Sequence, residues 1–406
     1  MTKWICHQLG SREHYSIPRA LEQQGRLERL QTDAWVRPNH QWLPRLLGQP
    51  ALASRYHPEL STAKVEAFTF GRLHFDLKAK IRNRNEWTTI AERDRWFQQQ
   101  CLHQLMQTLN AAPDTVVFSY AYTARDLFKS AKKQGARCIL GQVDPGPAEF
   151  DWLREVLPMA IAAQVKNRPS EYWASWREEV ALADHILVNS PWSKELLVTR
   201  TGLPEEKIVV IPLAYEPSRR ARQSREYPAK FTQARPLKLL FLGQIIHRKG
   251  VHLLLEAMQS LQGQPVQLDL VGPIGMDLST LPTNTVCHGP VDADTADKFY
   301  ANADVFCLPT LSDGFALTQL EAAAHRLPLL VSRYCAKICQ HEENGLLLDP
   351  ISTSSIREAI EQCIKSPCLL NQWSNYELDW EKYSIQRLGE SLLQMVEENQ
   401  PAFYNP

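Results

Sequence analysis

The amino-acid sequence predicts an α/β fold with two doubly wound, parallel-sheet domains that face each other across a cleft. At 406 residues the chain is too long for one ordinary hydrophobic core. Each half repeats the order strand, loop, helix, which is typical of parallel sheets covered by helices. A polar stretch at 216–236 lacks apolar periodicity and separates the halves. We therefore expect domains at 1–215 and 237–380, joined by a linker at 216–236.

Composition and charge exclude several classes of protein. Hydrophobic residues make up 44% of the chain and charged residues 22%, as in globular proteins. Lys and Arg number 45, and Asp and Glu also number 45, so no global field would attract nucleic acid. No segment approaches the roughly twenty apolar residues of a membrane span, and the first ten residues are too weakly apolar for a signal peptide. We expect a cytoplasmic protein that is at most peripheral to a membrane.

The nine cysteines form no regular framework. Cys335 and Cys339 lie near His325 and His341, but no second cysteine pair completes four ligands at a usual zinc spacing. We therefore expect buried thiols and no metal site.

The chain opens with a strand, a glycine turn and a helix. Residues 4–9 are predicted as the strand, and Gly10 and Ser11 end it. Nucleotide-type α/β domains begin in this order, although a single glycine is weak evidence because a tight turn alone would need it. The connector that follows contains Arg12 and His14, which contact an acceptor or a phosphate, or else form a plain surface loop.

The next segment is irregular and then basic. Prolines interrupt residues 27–64, which we interpret as an insertion, and apolar spacing predicts a long helix at 87–109. The basic cluster between them consists of Arg72, Lys78, Lys80, Arg82 and Arg84, with Asp76 as the one acid. Such a cluster contacts anionic lipid headgroups or a phosphorylated acceptor, or it is simply a solvated charged face.

The clearest βαβ unit of the first half has strands at 115–120 and 138–140 around a helix at 124–134. Because ligands of open parallel sheets bind at the carboxyl ends of the strands, the loop at 141–147 becomes a candidate site. Asp144 at its tip either orients an acceptor hydroxyl or caps the following helix.

The first half closes with two more strands, at 185–189 and 207–212. Between them, Ser190 is placed to cap a helix whose first residue is Pro191.

The second half begins with a strand at 237–242 and a helix at 251–261. The loop between them contains Gly243, Gln244, Arg248 and Lys249. A glycine turn with two cations before a helix suits a diphosphate, and the alternative is an exposed basic loop. Further strands at 266–271 and 286–291 end near Gly272 and Val291, and a helix is predicted at 294–302. These loops lie at the carboxyl ends of strands, so they can line one cleft.

The stretch around which the second half is organised follows the buried strand at 304–309. Gly314 permits a turn, and helical spacing begins near Leu317. The free amides of Phe315, Ala316 and Leu317 would bind an anion, while the carboxylates of Asp313 and Glu321 reach a ligand resting there. A sugar nucleotide has that shape. The alternative is a turn glycine with two acids that serve only as helix N-terminal charges.

Several motifs together resemble the family-4 retaining glycosyltransferases of GT-B fold, also described as glycosyl transferases group 1, whose two domains are Rossmann-like. They are LGQIIHRKG (242–250), DVFCLP (304–309), DGFAL (313–317), LEA (320–322) and NGLLLDP (344–350). Weaker matches are ADHILVNS (183–190) and KIVVIP (207–212).

The resemblance implies a role for each matching residue. Lys249 would contact the donor diphosphate, Glu321 the ribose and Asp313 the sugar hydroxyls, with the amides of 315–317 on phosphate or sugar. The tail, 381–406, would form a helix that crosses back to the first domain. A simple last helix on the second domain is the alternative.

The sequence departs from the family pattern at a few positions. Asp313 stands where the family usually has Glu, Gln244 where it commonly has Arg, and Arg326 near its usual Gly. Asp313 is shorter by one methylene, about 1.5 Å of reach. Asp144 lies in the neighbourhood where the family often has a catalytic His.

We therefore expect a retaining glycosyltransferase that moves a sugar from a nucleotide-diphosphate donor to an acceptor, which is a glycan, a lipid-linked sugar or a small molecule. The expected catalytic residues are Asp313, Glu321, Lys249 and Asp144, and no metal is needed. Gly10, Ser11, Arg12, His14 and Asp144 would bind the acceptor. The alternatives are a non-catalytic relative that binds nucleotide sugars or glycans, and an epimerase of the same fold. Uridine is the default base by resemblance alone.

Overall fold

The computed structural model describes residues 2–42, 52, 55–82, 86–112, 114–163, 165, 168–217 and 224–397. In the first half the strands are β1 (Lys3–Gln8), β2 (Leu27–Thr32), β3 (Val65–Ala67), β4 (Thr115–Tyr120), β5 (Arg137–Gly141), β6 (His185–Val188) and β7 (Ile208–Val210). Its helices are α1 (Ser16–Gln23), α2 (Thr69–Arg82), α3 (Glu86–Ala111), α4 (Arg125–Lys133), α5 (Pro147–Val156), α6 (Met159–Ala162), α7 (Ser170–Leu182) and α8 (Pro191–Thr201).

The second half has the same alternation. Its strands are β8 (Leu237–Leu242), β9 (Val266–Val271), β10 (Thr285–Gly289), β11 (Val305–Leu308), β12 (Leu329–Ser332) and β13 (Gly345–Leu348). Its helices are α9 (Val251–Ser260), α10 (Ala293–Asn302), α11 (Leu317–Ala324), α12 (Thr353–Lys365) and α13 (Pro367–Ser374), and the described chain ends in α14 (Ile385–Glu397).

Both sheets are parallel and doubly wound, which confirms the predicted fold class. The strand order is β3-β2-β1-β4-β5-β6-β7 in the first sheet and β10-β9-β8-β11-β12-β13 in the second. Central strands such as β4 and β11 are buried along their whole length, as expected when helices cover both faces. In both sheets the strand order reverses at the centre, between β1 and β4 and between β8 and β11, so a cleft opens at the carboxyl ends of these strands.

The prediction that residues 27–64 form only an irregular insertion is wrong at its start. β2 pairs in parallel with β1 and β3, which places a regular strand inside the segment. The order Leu27, Glu28, Arg29, Leu30 does not alternate between apolar and polar residues. The period of two that indicates a half-buried strand is therefore absent. The predicted caps at Ser190 and Pro191 are confirmed, since Ser190 accepts a hydrogen bond from the amide of Ser193 and Pro191 begins α8.

The last helix, α14, crosses back to the first half, as predicted. Leu388, Leu392 and Met395 join the hydrophobic core beneath β1 and β4. Gly389 allows this packing, because a Cβ atom there would lie 3.0 Å from the carbonyl oxygen of Ala20 in α1. The two halves are therefore held together by a covalent connection at one end and by α14 at the other.

Part of the expected linker is built into the second half. The guanidinium of Arg225 donates to the carbonyl oxygens of Tyr300 and His325, at the C-terminal ends of α10 and α11, each at 2.6 Å. These carbonyls have no partner within their helices, so the contact satisfies them. Phe231 is buried in the second hydrophobic core. The domain boundaries given above remain a prediction.

Candidate active site

The loops that follow β8, β9 and β11 pack backbone against backbone. A Cβ atom at Gly272 would lie 1.9 Å from the carbonyl oxygen of Gly243, and one at Gly250 would lie 1.8 Å from that of Pro309. Only glycine fits at such approaches. The predicted loops of the second half therefore do converge at one edge of the sheet. Gln244 is exposed beside them, whereas Val291 lies two residues beyond the end of β10 and packs partly on the core.

Two basic residues lie at the centre of this edge. The guanidinium of Arg248 donates to the carbonyl oxygen of Ser312 at 2.6 Å, and the ammonium of Lys249 contacts the carboxylate of Asp313. Burial and the neighbouring Arg248 lower the pKa of Lys249 to about 7. The contact with Asp313 favours the charged ammonium instead. The structure thus joins the predicted diphosphate cation to the predicted sugar-binding acid.

The amides predicted to bind an anion lie just beyond this ion pair. Phe315 donates its amide to Oδ1 of Asp313 at 3.4 Å. Ala316, immediately before α11, has a φ angle of 66°, a left-handed conformation that L-residues other than Asn and Asp rarely adopt. Leu317 begins α11, as predicted. The turn therefore presents the first free amides of the helix beside Lys249.

Glu321 lies one helical turn inside α11 and is largely buried. Its carboxylate accepts a hydrogen bond of 2.6 Å from the hydroxyl of Tyr300 in α10, and burial raises its pKa. Sequence reasoning missed Tyr300, because the two residues are 21 positions apart and on different helices. The tyrosine fixes the orientation of the carboxylate and leaves its second oxygen for another partner.

The predicted acceptor loop is held in a strained turn. Gly10 follows β1 and donates its amide to Oδ1 of Asp33 at 2.9 Å. After Ser11 and Arg12, three consecutive residues have positive φ angles: Glu13, His14 and Tyr15, at 50°, 50° and 60°. Such conformations cost of order 1 kcal/mol or more each and are concentrated at functional sites. The guanidinium of Arg12 lies 5.7 Å from the centre of the Tyr120 ring.

Asp144 is bound on several sides by its own half. Its carboxylate accepts hydrogen bonds from the hydroxyl of Tyr122 at 2.5 Å and from the amide of Gly146 at 2.9 Å, and it pairs with Arg168 at 3.1 Å. The alternative that Asp144 caps α5 is wrong, because the cap residue is Gly146 and no side chain bonds to the first helical amides. The loop around Asp144 is rigid, since the Arg168 guanidinium also lies 4.6 Å from the Tyr122 ring.

The two halves meet directly at the predicted site. A Cβ atom at Gly314 would lie 2.3 Å from the carbonyl oxygen of Val143, next to Asp144. The hydroxyl of Ser312 donates to Glu149 in α5 at 2.7 Å and accepts from the indole N–H of Trp192 in α8 at 3.1 Å. Trp152 donates to the carbonyl oxygen of Leu311 at 2.8 Å. Sequence reasoning missed Glu149 and both tryptophans, because nothing in the local pattern distinguishes interface residues from core residues.

No three His, Cys, Asp or Glu side chains of the described ranges are grouped as a metal ion would require. None of the helices in the part of the chain that the structure describes is long and apolar enough to cross a bilayer.

Comparisons with known proteins match a family to most of the second half. Residues 236–366 match the family described as "Glycosyl transferases group 1". An uncharacterized glycosyltransferase of Methanocaldococcus jannaschii is 30% identical over 165 residues, which cover 36% of this chain and 41% of the relative. The chain thus matches less than half the length of this curated relative.

Solved structures match almost the whole chain. Anabaena HepE in complex with UDP has a TM-score of 0.60 and 14% identity, covering 98% of this chain and 100% of HepE. A second HepE structure, with UDP and glucose, has a TM-score of 0.55 and 13% identity, with coverage of 98% and 97%. Sucrose-phosphate synthase from Thermosynechococcus elongatus has a TM-score of 0.62 and 16% identity, covering 98% of both chains. The chain therefore has the GT-B fold, and its residues 236–366 match the family of glycosyl transferases group 1.

Proposed function

We propose that the protein is a retaining glycosyltransferase that moves a sugar from a nucleotide-diphosphate donor to an acceptor bound by the first half. One observation carries the proposal: Lys249, Asp313 and the amides at the start of α11 meet at the strand ends of the second half, directly opposite the loop of Asp144. The assignment to family 4, and retention of configuration with it, rest on the resemblance of the motifs.

In this proposal the donor lies across the second half. The diphosphate rests on the amides at 315–317, with Lys249 and Arg248 as cations, and the ribose hydroxyls reach Glu321. The sugar then lies beside Asp313. Lys249, Arg248 and the amides stabilise the charge of the leaving diphosphate, so the chemistry needs no metal ion. UDP in the HepE structures supports a uridine nucleotide as the first donor to test.

The acceptor belongs to the facing loops, near Gly10, Ser11, Arg12 and His14. Asp144 is proposed to act through its position rather than as a free base, because its carboxylate already accepts bonds from Tyr122 and Gly146. The contact between Gly314 and Val143 brings this side to the donor loop, and closure of the two halves at this point would limit hydrolysis of the donor by water.

The outer face of α2 supports peripheral contact with an anionic membrane. Phe70, Leu77 and Ile81 are exposed by 82%, 59% and 76%, and their spacing of seven and four positions places them on one face of the helix. Lys78 and Lys80 flank this apolar stripe on both sides and are exposed. Apolar residues bordered by cations suit the boundary between lipid headgroups and acyl chains. Arg82 extends the charge, whereas the predicted Arg84 lies outside the described residues.

An isotope-transfer assay tests the proposed activity. Labelled UDP-sugars are incubated with pooled acceptors, and the configuration of the product is read by NMR. Glu321→Ala serves as the control and should lose transfer. Donor binding without transfer or hydrolysis would favour the non-catalytic alternative. Interconverted donor without an acceptor product would favour the epimerase.

A further inference from the structure

A small polar cavity lies in the first half, on the side that faces the second. It has a volume of about 160 Å³ and lies where β1, β2 and β4 end. Gly10 lines it after β1, Asp33 after β2, and Ala121 and Tyr122 after β4. Carboxyl ends of parallel strands are the usual place for ligands in such sheets. The cavity therefore occupies the position in which an acceptor would meet the donor.

The lining of this cavity is predominantly cationic. It contains the four arginines Arg12, Arg55, Arg72 and Arg93 and the two aspartates Asp33 and Asp94. The net formal charge of the lining is thus positive by two.

The two aspartates are already engaged by the protein. Asp33 is fully buried, and its oxygens accept the amide of Gly10 at 2.9 Å and the guanidinium of Arg72 at 2.7 Å. Asp94 pairs with Arg93 at 3.0 Å, and burial raises the pKa of Asp94. Within the described ranges, Arg12 and Arg55 form no ion pair with a carboxylate. The positive charge that lines the cavity therefore exceeds the negative charge.

We propose that this arginine pocket binds an anionic group of the acceptor, a phosphate ester or a carboxylate on a sugar or polyol. The inference rests on the proposed transfer reaction, since it assigns the acceptor side of the same cleft. One guanidinium group can donate two parallel hydrogen bonds to two oxygens of a phosphate or a carboxylate, which gives both affinity and orientation. A neutral acceptor would leave the excess charge of the pocket without a partner.

The surrounding structure holds the arginines in place. Arg12 follows Gly10, whose amide is fixed by Asp33, and precedes the left-handed turn of Glu13 and His14. Arg72 is held between Asp33 and Asp76, at 2.7 Å and 2.9 Å. A Cβ atom at Gly10 would lie 2.9 Å from Nη1 of Arg55, so that arginine packs directly on the loop. The pocket is thus organised before a ligand arrives, which lowers the entropic cost of binding.

Calorimetric titration of the full-length protein with inorganic phosphate and, separately, with acetate tests the inference. The protein is first saturated with UDP, so that the diphosphate site of the second half is filled. We expect saturable binding of phosphate or of acetate. Tighter binding of phosphate would indicate that the acceptor carries a phosphate ester, and tighter binding of acetate would indicate a carboxylate. The double variant Arg12→Gln, Arg55→Gln should weaken binding at least tenfold, because these two arginines carry the positive charge that no carboxylate of the pocket balances. Both side chains are partly exposed, and their loss leaves no buried carboxylate without its partner.

Arg125→Gln is the matched control. Like Arg55, Arg125 is a partly exposed arginine of the first half, but it does not line the pocket. Its affinity for the anion should stay within twofold of the wild type. Equal anion binding by the double variant and the wild type, or binding of neither anion to the UDP-loaded protein, would overturn the inference.

A failure of UDP to bind would count against the proposed donor site alone. The anion titration is then repeated with Lys249→Ala, in which the second half lacks its buried cation, and the same comparison of variants decides the inference.

Discussion

Lys249 is the residue whose charge state matters most for the proposed donor site. It is buried at the sheet edge, and its pKa of about 7 lies well below the ordinary value for lysine. The carboxylate of Asp313 holds the ammonium form in the free protein, and a diphosphate would replace or share that contact. Binding of the nucleotide therefore depends on a proton near neutral pH.

We expect the affinity for UDP to fall as the pH rises from 7 to 9. Only the protonated lysine attracts the diphosphate, and its lowered pKa means that the proton is lost in this range, so the affinity should fall by up to about tenfold per pH unit. UDP itself is fully ionised above about pH 7, because its last phosphate pKa is near 6. The measurement is a calorimetric Kd at several pH values.

Lys249→Arg is the control for this titration, since a guanidinium does not lose its proton in proteins. Its affinity should be nearly constant over the same range. A flat pH profile for the wild-type protein would contradict the assigned role of Lys249.

Asp313 is expected to select the donor sugar. Asp313→Glu adds about 1.5 Å of reach, which moves the carboxylate relative to both Lys249 and the sugar. We expect the ratio of kcat/KM values for two UDP-sugars that differ at one hydroxyl to change at least tenfold. Identical kinetics with every donor would remove Asp313 from the sugar site.

At this scale the sequence is informative about residues that lie close together in the chain. Lys249, Gly314 and Glu321 could be placed at a helix start from the local pattern of glycine, cation and apolar spacing. Tyr300, Glu149 and Trp192 could not, because their partners are 21, 163 and 120 positions away. The packing of helices brings such pairs into contact, and the local order of residues does not reveal how the helices pack.

At the scale of elements, most strands and helices were predictable from apolar runs and helical spacing, but β2 and α2 were not. β11 is a continuous apolar run and β4 contains one at 116–118, so both strands are recognisable from the local sequence alone. β2 carries the half-buried charged residues Glu28 and Arg29 between Leu27 and Leu30, so its strand character depends on its pairing with β1. The sequence of α2 predicts only a basic cluster. Its exposed apolar stripe becomes visible only when the structure shows that Arg72 and Phe75 lie on the opposite face, toward the protein.

The outer face of α2 should bind anionic vesicles. Phe75 packs on Trp96 of α3 at 5.8 Å and Arg72 pairs with Asp33, so the helix is anchored by its inner face and the apolar stripe is free for lipid. We expect sedimentation with vesicles of phosphatidylcholine and phosphatidylglycerol but not with phosphatidylcholine alone. The double variant Leu77→Ser, Ile81→Ser should reduce the bound fraction at least fivefold.

Met159→Ser is the control, since Met159 is exposed by 88% but lies in α6, away from the stripe. Unchanged vesicle binding by the double variant, or its loss through a change in oligomeric state, would show that lipid is not the partner of this face.

At the scale of the whole molecule, the two halves share one docking point beside the donor loop. The loop that contains Leu311 and Ser312 receives a carboxylate and two indole N–H groups from the first half. Arg248 lies 3.8 Å from the same carboxylate, Glu149. Closure of the cleft and the position of the donor cations are therefore linked through a few side chains.

Gly314 should be the most sensitive position in this contact. Its missing Cβ leaves room for the carbonyl oxygen of Val143, and an added methyl at 2.3 Å would force the halves apart. For Gly314→Ala we expect kcat to fall at least tenfold and the Kd for UDP to rise by a smaller factor, because Lys249 and Asp313 stay together on the second half while Glu149 moves away from Arg248. Gly263→Ala has open space around the added carbon, but the φ angle of 81° strains an alanine there, so this variant controls for a general loss of stability away from the cleft. X-ray scattering supplies a readout that does not depend on activity: the radius of gyration should increase for Gly314→Ala only. An unchanged kcat and an unchanged radius would mean that the contact between Gly314 and Val143 is dispensable for closure.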